Sequence, residues 1–187
     1  MIPTAPLRAR NHLAEVILAA LEKPEAIREL AALAQDVAAP EWLEPEDRDC
    51  RPLIRQRAQA AAAALAARPS ARIRSRAEVL EAAAVLFDAR LYFEVHELLE
   101  PAWREAGAGE RQALQGLIQI AVGYQHLANG NFAGARALLD EGRQRLRGQA
   151  LEGLDLDAFG EAVGRTLPRI FQLDWQTVPV FPRKESS

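Results

Sequence analysis

Apolar residues recur every three or four positions along most of the chain, which is the spacing that places them on one face of an α-helix. No segment shows the strict alternation of apolar and polar residues that is typical of a half-buried strand. Alanine, leucine, glutamate and arginine, which all favour helices, are abundant. The pattern predicts an all-α fold, namely a bundle of packed helical hairpins with an N-terminal helical extension.

Capping and helix-breaking residues predict the boundaries. Pro24 suits the first turn of a helix, Ser75 and Glu78 match a capping box, and the glycines at 107 and 109 suit a helix end. Helices are expected over residues 11–22, 25–38, 52–67, 75–88, 92–106, 110–128, 132–147 and 157–166, with Pro168 opening an extended segment. We expect an extension over residues 1–69, a helical domain over 70–175 and an extended tail over 176–187.

Two helical hairpins resemble each other at an offset of 40 residues. Tyr92 aligns with Phe132, and the adjacent leucines 98 and 99 align with leucines 138 and 139. This spacing is typical of helical repeat units, in which such positions pack one hairpin on the next. His96 aligns with Arg136, so hairpin packing alone does not require a histidine there.

The sequence YFEVHELLEPAW, residues 92–103, carries the candidate chemistry. His96, Glu100 and Trp103 follow one another at i, i+4 and i+7, so they lie within roughly a 60° arc of one helix, with Glu97 about a quarter-turn away. An imidazole nitrogen and a carboxylate oxygen at this spacing can bind one metal ion. Pro101 removes a backbone donor, which frees the carbonyl of Glu97 and is expected to kink the helix.

The following helix carries a second polar stripe. Gln112, Gln115, Gln119 and His126 share an arc of roughly 60°, and the segment around Gln119 is otherwise apolar. A buried glutamine needs a polar partner. The simplest arrangement places this stripe against His96 and Glu100, while Gly116 and Gly123 allow another helix to approach closely.

Structural alternatives exist for each candidate. For His96 and Glu100 the alternative to a metal or catalytic pair is a hydrogen-bonded pair at the edge of the core. His126 precedes a turn, where its protonated form would stabilise the end of a helix. Trp103 and Tyr92 suit core anchors. His12 has no discernible partner and is expected at the surface.

Composition narrows the classes of function. The formal net charge of −3 weighs against a general nucleic-acid binder, and the single cysteine, Cys50, excludes an internal disulfide and a Cys-rich zinc site. No apolar stretch is long enough to span a bilayer and the N-terminal sequence shows no export signal, so we expect a soluble, cytoplasmic protein without a membrane partner. A homo-oligomer is compatible with the sequence.

Residues 51–77 contain seven arginines and no acidic residue. A contact with phosphate or RNA is one interpretation, and it predicts steeply salt-dependent binding. Pairing with the neighbouring acidic sequence EWLEPEDRD, or simple solvation, is the interpretation that we favour.

Known catalytic and nucleotide-binding motifs are either incomplete or absent in the sequence. His96, Glu97 and Glu100 come close to the H-E-x-x-H sequence of zinc proteases, but the second histidine is missing. Phosphate-binding loops, dinucleotide fingerprints and nucleophile elbows are absent from the sequence.

The segments FDARLYFEVHELLEPAWREAG, GERQALQGLIQIAVGYQHLANGN and GARALLDEGRQRL resemble the domain of unknown function family 309 over residues 87–146. That family is marked by His-x-x-x-Glu-x-x-(Trp or Tyr), here His96, Glu100 and Trp103. The resemblance implies an all-helical fold and a suspected role in metal binding, and it gives no support to the extension before Ser75. In many members a helix-favouring residue would be expected where this chain has Pro101.

The leading hypothesis is a divalent-metal or small polar-ligand site. Its candidate ligands are His96, Glu100, Glu97 and His126, with Gln115, Gln119 and Trp103 as supporting ligand-binding residues. If the site is catalytic, metal-assisted hydrolysis is the expected reaction class. The rival hypothesis is a non-enzymatic, helical-repeat interaction module in which the His/Glu stripe is a structural polar network.

Overall fold

The computed structural model describes residues 6–36, 39–66 and 71–184. Within them the fold is all-α, without strands, as predicted. The helices, in order, are α1 Leu7–Ala20, α2 Pro24–Gln35, α3 Arg51–Leu65, α4 Arg76–Asp88, α5 Tyr92–Glu105, α6 Ala108–Ala128, α7 Phe132–Arg145 and α8 Leu156–Thr166. Three short 3₁₀ helices cover Pro45–Cys50, Leu167–Gln172 and Trp175–Thr177.

Several predicted boundaries hold. Pro24 begins α2, and Ser75 caps α4 through a complete capping box with Glu78. The predicted ends of the second and third helices, Ala38 and Ala67, lie outside the described residues, as does Pro69.

Other boundaries were wrong. The glycines at 107 and 109 do not separate two helices by a long break, because α6 already begins at Ala108 with Gly107 in an extended conformation at its N-cap. The chain after α8 does not become extended at Pro168: it continues in 3₁₀ turns over Leu167–Gln172, with a kink at Arg169, and a proline in the first turn needs no backbone donor. The last helix begins at Leu156 because the Asp155 side chain accepts a hydrogen bond from the backbone of Ala158.

The predicted repeat is present in the backbone. Helices α5 and α7 have the same length, 14 residues, and both their first and last residues are 40 positions apart. The turns before them match as well, since Arg90 and Gly130 both have positive φ angles, of 62° and 75°. Helix α6 packs against both α5 and α7, so it lies between the two equivalent helices.

The apolar core is continuous from the extension to the tail. At its centre the Phe87 ring makes edge contacts with Tyr92 and Tyr124, at centroid distances of 5.1 and 5.8 Å. Burial raises the pKa of both tyrosines, that of Tyr124 to about 12. Phe181 of the tail is also buried, and its backbone N–H donates to Asp88. The tail therefore packs on the α4–α5 turn.

The extension packs directly on α5. Helices α1 and α3 contact each other, α1 contacts α5, and α3 contacts α4. The chain leading into α4 follows the end of α1, since the backbone N–H of Ile73 donates to the Glu22 carboxylate at 2.7 Å. The surface of α5 that carries the candidate residues is therefore bordered by the extension.

Candidate metal or polar-ligand site

Helix α5 is fixed by its apolar face, which leaves the candidate residues on the other side. Tyr92, Val95 and Leu99 are buried and anchor the helix in the core. At 100° per residue, His96, Glu97 and Glu100 lie beside or opposite that face. All three are half-buried, so the sequence periodicity placed them correctly at the edge of the core.

Three candidate ligands come together at this edge. His96, Glu97 and Glu100 each offer one ligand atom, and these atoms lie within 4.8 Å of one another. His96 Nδ1 is 3.0 Å from Glu97 Oε1, while Glu100 Oε1 accepts a hydrogen bond of 2.7 Å from Arg104. The side chains of these three residues are about one-third exposed, at 29%, 37% and 31%. Nitrogen and carboxylate oxygen donors in one open cluster fit a divalent cation.

Pro101 does not break the helix. Helix α5 runs without interruption from Tyr92 to Glu105, and Pro101 is exposed inside it. Because Pro101 has no N–H, the Glu97 carbonyl lacks its usual helical donor.

The predicted juxtaposition of the two polar stripes was wrong, because the stripe on α6 faces α7. Gln112 accepts a hydrogen bond from Arg145 of α7 at 2.9 Å. Gln119 is buried beside Gly142 of α7, and its Oε1 has no partner among the described residues. Hydrogen bonding to Arg145 and then to Gln119 lowers the pKa of Glu141 on α7. Gly116 explains why this side of α6 faces α7, since a Cβ there would lie 2.9 Å from the backbone oxygen of Gly142. The absence of side chains at Gly116 and Gly142 allows α7 to pack closely on this side of α6.

His126 is held at the α6–α7 turn. Its Nδ1 lies 2.7 Å from the Asn131 side-chain nitrogen, and Asn131 in turn caps α7 by accepting from the backbone of Gly134. The amide donates in this contact, so Nδ1 is the acceptor and its lone pair is engaged. The cluster of possible ligands on α5 does not include His126. This contact gives His126 a structural role at the turn, through an accepted hydrogen bond and not through the charge of a protonated ring.

The two remaining supporting candidates have modest roles in the structure. Trp103 is half-buried against the core, and the Arg111 guanidinium carbon lies 5.6 Å from the centre of its ring. Gln115 is half-buried on α6. His12 does have partners: it lies 3.4 Å from Glu15 and stacks on Trp42.

A neighbouring acid, Glu94, was missed by the periodicity argument. It is fully buried, and its Oε2 accepts a hydrogen bond of 2.6 Å from Arg57 of α3, while Oε1 has no partner among the described residues. Glu94 precedes Glu97 by three residues, so it lies one turn from the cluster. Its partner is 37 residues away on another element, and local spacing carries no signal of that contact.

The arginines of residues 51–77 pair with acids, though not with those predicted. Arg51 pairs with Asp36, Arg57 with Glu94 and Arg76 with Glu110. None of these partners belongs to the sequence EWLEPEDRD. Within that sequence, Glu44 pairs with Arg8 of α1. Three of the basic side chains are thus engaged by structural ion pairs.

No helix in the described part of the chain is both long and apolar enough to cross a membrane.

Comparisons with known proteins agree with the family resemblance. Residues 80–138 match the family described as domain of unknown function (DUF309). The uncharacterized protein YpuF of Bacillus subtilis (strain 168) is 39% identical over 71 residues, which cover 36% of this chain and 41% of YpuF. The chain therefore spans less than half the length of this relative. No solved structure matches the chain.

The matched segment contains the complete cluster and excludes the extension that borders it. The resemblance of residues 80–138 to the DUF309 family is confirmed.

Proposed function

We propose that His96, Glu97 and Glu100 form a binding site for one divalent metal ion on the open face of α5. The observation that supports it is the convergence of their ligand atoms within 4.8 Å on a single helix. One imidazole nitrogen and two carboxylate oxygens are a donor set that suits manganese, iron or zinc. The half-buried position leaves room for an external ligand beside the ion.

Glu97 can serve the site in two ways, as an orienting partner of His96 or as a ligand of the ion. If Nδ1 of His96 donates to Glu97, then Nε2 is the nitrogen left for the ion, and Glu97 orients the ring instead of binding the ion. If Glu97 turns toward the ion, it supplies the third donor. Loss of an orienting partner typically costs 10- to 100-fold in metal affinity, so either role makes Glu97 part of the site.

The reaction class that such a site supports is metal-assisted hydrolysis. A divalent ion supplies Lewis acidity toward an oxygen of the substrate or of water. The protein residues would hold the ion, and the carboxylate that is not engaged by it would accept a proton from water.

The test is metal binding by purified, untagged, metal-free protein. Calorimetric titration with Mn²⁺, Fe²⁺ or Zn²⁺ is expected to give one site per chain. His96→Ala and Glu100→Gln are expected to weaken binding at least tenfold, which corresponds to about 1.4 kcal/mol. Glu105→Gln is the matched control, because Glu105 is exposed on the same helix. Wild-type protein that neither binds these ions nor gains thermal stability from them would refute the proposal.

The second candidate function is a non-enzymatic, helical-repeat interaction module, in which His96, Glu97 and Glu100 form a structural polar network. The specific observation is that Glu100 and Asp140, which are equivalent in the repeat, each pair with an arginine on the following turn. In that case the same variants would lower the free energy of unfolding of a protein that binds no metal. The two candidates are therefore separated by one set of measurements.

A further inference from the structure

Arg10 of the extension reaches toward the proposed site. Its guanidinium carbon lies 4.0 Å from the centre of the Phe93 ring, and Phe93 precedes His96 by one turn of α5. The Phe93 and His96 ring centres are 6.3 Å apart. Taken together, these distances place the guanidinium within about 10 Å of the imidazole.

The charge of Arg10 is not neutralised by an acid within the described part of the chain. Three other arginines do have carboxylate partners: Arg8 pairs with Glu44, Arg57 with Glu94 and Arg104 with Glu100. Arg10 instead packs on Phe93, and its Nε is buried without a hydrogen-bond acceptor in that part of the structure. A guanidinium without a carboxylate partner favours an external anion at those of its N–H groups that are not enclosed.

The chemistry of this side chain suits an oxyanion. The N–H groups of a guanidinium bind phosphate or carboxylate oxygens in a fork. Glu97 and Glu100 alone would repel an anion at this distance. A divalent cation between them neutralises the two carboxylates, so the positive charge of Arg10 attracts an anion once the metal is bound.

We propose that the site binds a phosphate group between the metal ion and Arg10, which makes the extension part of the ligand-binding site. A phosphate dianion matches two positive centres better than a singly charged carboxylate does. This inference rests on the proposed metal site, and it predicts reciprocal coupling: phosphate strengthens metal binding, and metal strengthens phosphate binding by the same factor.

The experiment measures Mn²⁺ affinity in the full chain without and with inorganic phosphate. In the wild type we expect phosphate to strengthen Mn²⁺ binding at least fivefold, and acetate at the same concentration to have less effect. Methyl phosphate is the second arm. An equal effect shows that a phosphomonoester fits the site, while an effect of inorganic phosphate alone restricts the ligand to the free ion.

Three variants test whether Arg10 is responsible for the effect of phosphate on Mn²⁺ binding. Arg10→Gln keeps most of the side-chain stem on Phe93, and it is expected to bind Mn²⁺ as the wild type does but to lose the phosphate effect. Arg10→Lys is expected to restore part of it. Arg8→Ala, on the same helix and paired with Glu44, is the control that should retain it. Circular dichroism and the melting temperature verify that each variant is folded.

The experiment distinguishes failure of the proposed metal site from failure of the proposed phosphate site at Arg10. Absence of Mn²⁺ binding in the wild type overturns the metal site and this inference with it. Normal Mn²⁺ binding that phosphate leaves unchanged, or a phosphate effect that persists in Arg10→Gln, overturns only the role of Arg10.

Discussion

The Arg57 guanidinium on α3 donates a 2.6 Å hydrogen bond to the Glu94 carboxylate on α5, and Glu94 has no exposed surface. This contact joins the extension to the helix that carries the proposed site. Removing one partner of a buried ion pair leaves the other charge without compensation in a medium of low polarity.

Arg57→Ala and Glu94→Ala are each expected to lower the free energy of unfolding by about 3 kcal/mol. The double substitution Arg57→Met with Glu94→Leu should recover much of that loss, since it replaces both charges by apolar groups. Urea unfolding followed by circular dichroism measures the values. Arg55→Ala, at an exposed position on the same helix, should change stability by less than about 0.5 kcal/mol. Equal effects at positions 55 and 57 would contradict the importance of the pair.

Two buried tyrosines are expected to respond differently to loss of their hydroxyl groups. The Tyr92 hydroxyl has no partner among the described residues, whereas that of Tyr124 lies 3.4 Å from the Thr166 hydroxyl. Tyr92→Phe should therefore be neutral or stabilising, because it removes an unsatisfied polar group. Tyr124→Phe should cost about 1 kcal/mol. Thermal unfolding of the two variants side by side tests this, and a larger loss in Tyr92→Phe would show that its hydroxyl is bonded after all.

The close approach of α6 and α7 depends on two glycines. A Cβ at Gly142 would lie 2.8 Å from the backbone oxygen of Gly116, and a backbone atom cannot move aside cheaply. Gly142→Ala is expected to destabilise the protein by about 1–3 kcal/mol through overpacking. Gly109→Ala is the control: a Cβ there meets no atom within 4 Å, so the helix propensity of alanine should make it neutral or stabilising. Equal melting temperatures for the two variants would contradict the predicted helix contact.

Arg104 competes with any metal ion for Glu100. It holds Oε1 of Glu100 at 2.7 Å, with the arginine side chain 66% exposed. An exposed ion pair of this kind contributes about 0.2–1 kcal/mol, so Arg104→Ala should strengthen metal binding by up to about fivefold. Arg147→Ala, which removes the same charge at an exposed position beyond α7, tests whether net charge alone accounts for the gain. Weaker binding in Arg104→Ala would indicate that Arg104 orients Glu100 instead of competing for it.

The local parts of the fold follow from the sequence because they depend on neighbouring residues. The capping box at Ser75, the start of α2 at Pro24 and the position of His96 with Glu100 at the edge of the core all result from spacing along one helix. The same spacing found the polar stripe on α6. It could not say which neighbouring helix that stripe faces.

Which neighbouring helix the polar stripe of α6 faces depends on where another backbone can approach α6 closely. Gly116 and Gly142 admit α7 on one side of α6, so Gln112 bonds to α7 and Gln119 packs against it. Contacts between segments that are distant in the sequence could not be predicted either. Examples are Arg10 on Phe93 and Arg57 on Glu94. Each joins the extension to α5 through a charged residue whose partner no helical period identifies.

The two equivalent helices give this molecule an internal control. Helix α7 repeats the length, preceding turn and acid–arginine pair of α5, but it has Arg136 where α5 has His96. Asp140 and Arg143 therefore show how such a pair behaves without a histidine, in the same protein and in the same solution. A property found at Glu100 and absent at Asp140 arises from side chains that differ between the two helices, His96 among them, because helix length and the preceding turn are common to both.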